Sequence, residues 1–392
     1  MRCRKCGESA VINMRHHKLS LCSEHYSDWF IAQTERAIEK YKMFSRDDHV
    51  LVAVSGGKDS LALWDVLLQL GYHADGLYIG LAINDPVPYS DQSLDKTRAF
   101  LEQRHSAFRE PVDGSKASNQ SLSDPSVIAR SNATNQCPSD PSDIAWRNAT
   151  KQSPNESPAA IRETATLPYL PRLHVVDVLE TYGKTIPQIS SEKTRGQGKP
   201  CSACGLTKRY VMNRIAADKG YSVLATGHNL DDEAAVLMQN TLRWQTGYLA
   251  RQSPVLPATS PRFAKKVKPF CRFYERETAT YALVRSIDYV YDECPNAIGN
   301  LTNFYKTLLN QLESESPGSK LAFYLEFLRA RKEGLFENVS RADELHDCEA
   351  CGQPTTAPGR CAFCRMWDIG VASEDSIRAA DEIPITAAMN VR

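Results

Sequence analysis

The sequence predicts an α/β protein built on a doubly wound parallel sheet, with a small cysteine knuckle near each end. Three observations predict it. Apolar runs of strand length alternate with amphipathic segments, a glycine turn directly follows the first run, and cysteine pairs at two-residue spacing stand near both termini. After a helical stretch, Trp29 to Phe44, the first run (His49 to Val54) is dense in β-branched residues and lacks polar alternation, as suits a parallel strand buried on both faces. It ends at Ser55-Gly56-Gly57. An apolar-periodic segment, Ser60 to Leu70, and a second run, Gly76 to Leu81, complete a βαβ unit. Runs at His174–Val178 and Tyr221–Thr226 continue the alternation.

At roughly 150 residues per domain, 392 residues predict two to three domains. Hydrophobic residues at 42% and charged residues at 24% support a packed core. Lysine plus arginine (47) equals aspartate plus glutamate (47), which excludes a globally basic nucleic-acid glue and an acidic solvating tail. No stretch reaches the roughly eighteen apolar residues of a membrane span. Met1 to Cys6 lacks the apolar segment of an export signal, so a cytoplasmic protein with no membrane partner is expected. Twelve cysteines in such a chain point to metals or redox chemistry.

The chain divides into a knuckle at 1–30, an α/β domain at 31–105 and 172–262, an insertion at 106–171, a helical segment at 263–345, a second knuckle at 346–367 and a tail at 368–392. The insertion is rich in Ser, Pro, Asn and Asp. It carries a tandem near-repeat, Ser123 to Pro138 echoed by Ser139 to Pro154, too polar to offset ordering entropy, and is expected to be disordered. Its sequons at Asn132 and Asn148 matter only in a secreted protein.

Ser55-Gly56-Gly57-Lys58-Asp59-Ser60 lies between a buried strand and a helix. Two glycines let the backbone turn and aim its N–H groups at an anion, the helix start adds partial positive charge, and Lys58, Ser55 and Ser60 add donors. The frame is not that of the common nucleotide-binding loop, Gly-x-x-x-x-Gly-Lys-Ser/Thr. Thr226-Gly227-His228-Asn229-Leu230-Asp231-Asp232-Glu233-Ala234 follows the last run, so both segments sit at carboxyl ends of strands and should face each other. The adjacent carboxylates Asp231 and Asp232 suit a magnesium ion, Mg2+; the alternative is a helix cap with an acidic first turn.

Cys3-x2-Cys6-x15-Cys22-x2-His25 and Cys348-x2-Cys351-x9-Cys361-x2-Cys364 each have the two-knuckle spacing of a structural zinc site. Four protein ligands leave no open position, which assigns both zinc ions, Zn2+, to folding. Cys201-Ser202-Ala203-Cys204 is an unpaired knuckle: either a redox dithiol or a metal centre completed from afar by Cys271 or Cys294. Cys137 is a bystander in the insertion. Basic residues cluster beside these motifs: Lys193, Arg195, Lys199, Lys208, Arg209 and Arg214; then Arg262, Lys265, Lys266, Lys268, Arg272 and Arg276; and Arg2, Arg4, Lys5, Arg15 and Lys18. In a neutral chain that segregation suggests a phosphate-backbone footprint.

Taken together, the N-terminal CxxC/CxxH, SGGKDS, the CxxCG-x-x-KR segment at Cys201 to Arg209, GHNLDDEA, the Lys268 to Tyr281 segment, Glu293-Cys294-Pro295 and the terminal knuckle resemble the tRNA 2-thiouridine synthetases of the TtuA type. That group lies within the PP-loop ATPase superfamily of Rossmann-like fold and includes the eukaryotic cytosolic wobble-uridine thiolases. The resemblance spans residues 1–105 and 172–367; the insertion departs from it. It implies a PP-loop ATPase domain that cleaves ATP to AMP and pyrophosphate, and a 263–345 segment that binds tRNA and completes a cluster.

By that resemblance Cys201, Cys204 and Cys294 would bind a 4Fe-4S cluster through three irons, leaving the fourth open to hold sulfur, and Cys271 is structural. Lys208 and Asp232 match the family's catalytic pair, with Asp231, Asp59, Cys201 and Cys204 beside them. Ala53, Ser55, Gly56, Gly57, Lys58, Ser60, Ile79 and Gly227 would contact ATP. The implied reaction adenylates the uridine C2 oxygen and then transfers sulfur, giving 2-thiouridine, with the T-loop 5-methyluridine favoured over the wobble position. A ubiquitin-like thiocarboxylated sulfur carrier and a homodimer are implied partners. Sulfur delivery by a persulfide on Cys201 or Cys204, another AMP-forming ligase, and a non-catalytic zinc-ribbon RNA-binding protein are the competing readings.

Overall fold

The computed structural model describes residues 1–109, 169–192, 200–297, 300–339 and 344–370. The chain splits into one unit of Met1–Ala107 with Tyr169–Arg392 and a second of Phe108–Pro168. The near-repeat, Asn132, Asn148, Cys137, Lys193, Arg195, Lys199 and the tail beyond residue 370 lie outside the described residues.

In chain order the first unit runs β1 (Ile12–Met14), β2 (Leu19–Leu21), α1 (Ser23–Lys40), β3 (Val50–Val54), α2 (Lys58–Gln69), β4 (Ala74–Gly80) and α3 (Tyr89–Arg109). It continues with β5 (Leu173–Asp177), α4 (Val178–Tyr182), α5 (Ile186–Glu192), α6 (Pro200–Asp218), β6 (Val223–Thr226), α7 (Leu230–Leu242), α8 (Thr246–Arg251), β7 (Val255–Leu256) and β8 (Lys265–Val267). Then follow α9 (Glu275–Val284), α10 (Leu301–Glu315), α11 (Ser319–Lys332), β9 (His346–Asp347), β10 (Pro354–Thr355) and α12 (Ala362–Met366).

Six strands form the central sheet in the order β5-β4-β3-β6-β8-β7, parallel throughout except for β7 against β8. The chain leaves β3 for β4 and β5 on one side and returns at β6 on the other. A crevice therefore opens between the carboxyl ends of β3 and β6, where such sheets take their ligands. Strand periodicity decides which helices cover which face. Val50, Val52 and Val54 share a core with Phe30, Trp64 and Tyr281 from α1, α2 and α9. Leu51 on the other face packs with Leu77, Val176 and Leu224 against Val211 and Ile215 of α6.

The doubly wound sheet expected from the apolar runs is present. Two local readings need correction. Lys265–Val267, expected inside a helical segment, is a strand, because parallel pairing with Val223–Ala225 supplies hydrogen bonds that no local pattern announces. The expected insertion is also shorter at both ends among the described residues: α3 runs on to Arg109. Beyond it, Tyr169 already donates its hydroxyl to Asp75 Oδ1 at 2.7 Å.

The two knuckles dock on elements that carry the motifs. Tyr26 donates to the Glu277 carbonyl at 2.7 Å and Arg276 to that of Asn13 at 2.6 Å, which ties the N-terminal knuckle to α9. The C-terminal knuckle clasps α6. Phe363 stacks on Tyr210 with ring centroids 3.6 Å apart and planes 3° from parallel. Trp367 Nε1 donates to Thr207 Oγ1 at 3.2 Å, and Arg214 to the Cys351 carbonyl at 3.0 Å.

Candidate active site and metal centres

The glycine turn folds as its residues dictate. Gly56 holds φ at +71°, and the backbone of Ser93 occupies the space a side chain would need. Ser60 Oγ accepts from Ser55 N at 3.1 Å and donates to the Gly57 carbonyl at 3.0 Å, closing the loop on itself. Gly57 caps α2 with no side-chain bond, so the first N–H groups of that helix are left for a ligand. Across the crevice, Gly227 approaches so closely that an added Cβ would lie 2.8 Å from the Asp59 carbonyl carbon.

Between these segments is a cavity of about 380 Å³. Its walls include Ala53, Ser55, Gly57, Ser60, Ile79 and Gly227, six of the eight residues expected to contact nucleotide, together with Asp59, Lys208 and Asp232. Gly56 and Lys58 do not line it. Gly56 shapes the turn, while Lys58 is drawn to Glu275 Oε1 at 2.7 Å and Asp59 Oδ2 at 3.2 Å. Burial pushes the Asp59 carboxyl up, against the pull of Lys58 and of the Thr278 hydroxyl.

Asp231 and Asp232 do not converge on a shared cation. Consecutive helical residues project about 100° apart, and α7 sends them to different partners. Buried Asp231 meets Lys320 at 2.6 Å and accepts from Glu275 N at 2.8 Å, away from the cavity. Asp232 accepts from Asn229 N at 3.1 Å, and the Asn229 side chain accepts from Asp232 N at 3.1 Å, forming a capping box. Its other oxygen meets Lys306 at 2.6 Å. The capping alternative is thus realised, and the carboxylates that share the cavity wall are Asp59 and Asp232, one from each motif.

Pro200 opens α6, with its fixed φ and missing N–H suited to the first turn. Cys201 and Cys204 stand at that end, and Lys208 reaches the cavity one turn beyond Cys204. Cys294 arrives from the loop after α9: Cys201 donates to the Asn296 carbonyl at 3.3 Å. Burial pushes the Cys294 thiol up, the thiols of Cys204 and Cys201 push the same way, and Lys208 opposes them. Tyr89 lines the cavity, and its hydroxyl is raised by burial and then by Cys294 and Cys204. Cys204 and Cys294 are thus neighbours of Tyr89 on the cavity wall, while none of the three sulfurs lines the cavity itself. Cys271 is elsewhere, fully buried in the α1 core and pushed up to about 12 by that burial. Cys201 and Cys204 both act on Cys294, and with the other described cysteines committed to the knuckles or to the core these three are the donor set for a group held by three thiolates.

In each knuckle the four candidate ligand atoms lie within 4.8 Å of one another: Cys3, Cys6, Cys22 and His25, and Cys348, Cys351, Cys361 and Cys364. Four thiolates at about 2.3 Å around a tetrahedral centre stand about 3.8 Å apart. The Cys6–Cys22 and Cys351–Cys361 separations are 3.7 and 3.9 Å. Burial works to raise the Cys3 thiol, yet backbone N–H donors from Cys22, Cys6 and Lys5 outweigh it and hold it at about 6. Both clusters are thus fit to hold a metal ion.

The basic runs divide. Lys268 is spent on Glu233 at 2.7 Å from a largely buried position, whereas Arg276 and Arg262, which bond the carbonyls of Asn13 and Gly352, remain exposed. The motif reading missed Lys306, Lys320, Tyr89 and Ser93, which come from segments with no signature of their own, and gave no role to Glu275 although it lies in the Lys268 to Tyr281 segment.

Residues 2–27 match a family model described as 2-thiouridine synthetase TtuA, N-terminal LIM domain. The chain is 42% identical over 368 residues to a tRNA-5-methyluridine(54) 2-sulfurtransferase of Thermus thermophilus, covering 94% of this chain and 91% of the relative. It is 35% identical over 367 residues to the protein of that name from Thermotoga maritima, covering 93% and 96%. Among solved structures, the U34-tRNA thiolase NcsA from Methanococcus maripaludis with its 4Fe-4S cluster superposes with a TM-score of 0.62 at 20% identity, covering 95% of this chain and 98% of that one, a likeness of fold.

Proposed function

The chain belongs to the TtuA-type tRNA 2-thiouridine synthetases, the family of the tRNA-5-methyluridine(54) 2-sulfurtransferases, and on that premise we propose how its residues carry the reaction. It is a tRNA sulfurtransferase that replaces the C2 oxygen of a uridine with sulfur, at the T-loop 5-methyluridine.

The C2 oxygen is a poor leaving group, so it must first be activated. In our reading it attacks the α-phosphorus of ATP, and pyrophosphate departs with the electron pair of the broken bond. A sulfur nucleophile then adds to C2, and AMP leaves carrying the former carbonyl oxygen. The first N–H groups of α2 and the Ser55 and Ser60 hydroxyls would hold phosphate oxygens. Lys208, from the opposite wall, would meet the charge developing on the transferred phosphate. Asp59 and Asp232 would hold a magnesium ion, which when bound offsets phosphate charge. Cys201, Cys204 and Cys294 would hold a 4Fe-4S cluster through three irons, which when bound supplies an open iron for sulfur. The two knuckles would each hold zinc, which contributes folding energy and no chemistry.

A thiocarboxylated ubiquitin-like sulfur donor, a homodimer and a cytoplasmic site of action belong to the same reading. No helix among the described residues is long and apolar enough to cross a membrane.

The observation that carries the reading is that one helix, α6, supplies two of the three thiols and a lysine of the cavity wall. Such placement serves sulfur transfer by positioning, where effective molarity is the main gain. The test is anaerobic incubation of the full chain with tRNA, ATP and sulfide, followed by nucleoside mass spectrometry and AMP measurement. A 2-thio nucleoside formed with AMP supports it. Thiolation without AMP, or AMP without thiolation, would sink the coupled mechanism.

A further inference from the structure

Five charged side chains form an alternating chain around one end of the cavity. Asp59 meets Lys58 at 3.2 Å, Lys58 meets Glu275 at 2.7 Å, Glu275 meets Lys306 at 3.2 Å, and Lys306 meets Asp232 at 2.6 Å. Asp59 and Asp232, its two ends, line the cavity; the three residues between them do not. Lys306 comes from α10 and Glu275 from α9, while the ends come from the two motifs. The Lys306 side chain is four-fifths buried, at 20% exposure, so its ammonium interacts in a medium where charge pairs are stronger than in water.

The arrangement poses a definite problem for phosphate binding. Lys58 belongs to the glycine loop, yet Glu275 and Asp59 hold its ammonium. To reach a phosphate it must leave Glu275, a carboxylate only partly open to solvent at 37% exposure, and stripping it of every partner carries a cost. Glu275 has a second partner in Lys306, bonded to its other oxygen at 3.2 Å. The same ammonium fixes Asp232, whose remaining oxygen is held by the Asn229 N–H.

We propose that Lys306 is a positioning residue of the nucleotide cavity, anchoring Asp232 on its wall and serving as the counter-charge that lets Lys58 exchange Glu275 for a phosphate group. The inference rests on the reading of the cavity as an ATP site and names a residue that no motif contains. It makes a specific demand: neutralising Lys306 traps Lys58 on Glu275, and neutralising Glu275 as well releases it.

The experiment measures KM for ATP and kcat for AMP formation, with tRNA and sulfide, in the full chain and in Lys306→Met, Lys306→Arg, Glu275→Gln and the double variant Glu275→Gln/Lys306→Met, each checked by melting temperature. Lys306→Met should raise KM for ATP about tenfold or more, the scale of a lost charge-assisted hydrogen bond, and lower kcat. Lys306→Arg should recover most of both. The double variant should recover KM but not kcat, because Asp232 remains unanchored. Wild-type kinetics in Lys306→Met, equal losses in the Met and Arg variants, or a double variant worse than Lys306→Met in KM would each overturn the proposal. A wild-type chain that forms no AMP would overturn the ATP reading beneath it.

Discussion

Gly227→Ala probes how tightly the two motifs are pressed together. The added Cβ would lie 2.8 Å from the carbonyl carbon and oxygen of Asp59 and 2.9 Å from the nitrogen of Ser60. All three are backbone atoms of the glycine loop, so no side chain can swing aside. Ordinary contact begins near 3.4 Å, and the difference from 2.8 Å requires the loop and β6 to part by about 0.6 Å. Overpacking of this kind costs about 1–3 kcal/mol. For a protein of this size the melting temperature should fall by roughly 1–4 °C. Misplacement by 1 Å can cost about a hundredfold in rate, so a shift of this size should cost roughly tenfold in kcat/KM for ATP. Differential scanning calorimetry and AMP formation measure the two effects. Gly247→Ala is the control, since nothing lies within 4 Å of its added Cβ. Gly227→Ala kinetics within twofold of wild type at an unchanged melting temperature would refute the close approach.

Four further outcomes are expected. Asp232→Asn should abolish most AMP formation with little loss of stability, whereas Asp231→Asn should chiefly lower the melting temperature by leaving the buried Lys320 ammonium unpaired; parallel kinetics and calorimetry distinguish the two. Cys294→Ala should purify anaerobically without iron or visible absorbance yet bind ATP as wild type does. Disrupting the C-terminal knuckle by Cys364→Ser should lower iron content as well as zinc, because Phe363 and Trp367 brace α6; metal analysis with unchanged iron would contradict this. Burial pushes the Glu275 carboxyl up, but Lys306 and Lys58 more than reverse it and hold it at about 2, against an ordinary 4.5. The unfolded chain therefore takes up this proton first. The stabilisation is full above pH 4.5 and disappears as pH falls through about 2, so Glu275→Gln should flatten the pH dependence of urea stability in that window.

What could be read before folding, and what could not, follows from the range of the interactions. Val50–Val54 and Ala74–Gly80 were legible because strands buried on both faces are written as continuous apolar runs. The knuckles were legible because metal geometry fixes cysteine spacing, and the glycine turn because its φ and its crowding admit few residues. The choice between Asp231 and Asp232 was not legible. Adjacent positions on one helix face different neighbours, and the deciding partners, Lys320 and Lys306, lie more than seventy residues away in α11 and α10. Lys58 was only half legible: its motif suggests a phosphate ligand, while the contact with Glu275 that holds its ammonium comes from α9, far along the chain. Spacing left Cys271 and Cys294 as alternatives, and only the resemblance preferred Cys294; that Cys294 neighbours α6 while Cys271 is buried in the α1 core is a fact of tertiary packing that spacing does not contain.

The helix α6 has one more implication. Cys204 and Lys208 are separated by a single turn, about 6 Å of rise. Their span is thus a ruler made of backbone hydrogen bonds, with its outer side wedged by an aromatic pair. On the proposed mechanism the sulfur-bearing and phosphate-facing ends of that ruler keep a fixed span, and it falls to the bound nucleoside to reach both.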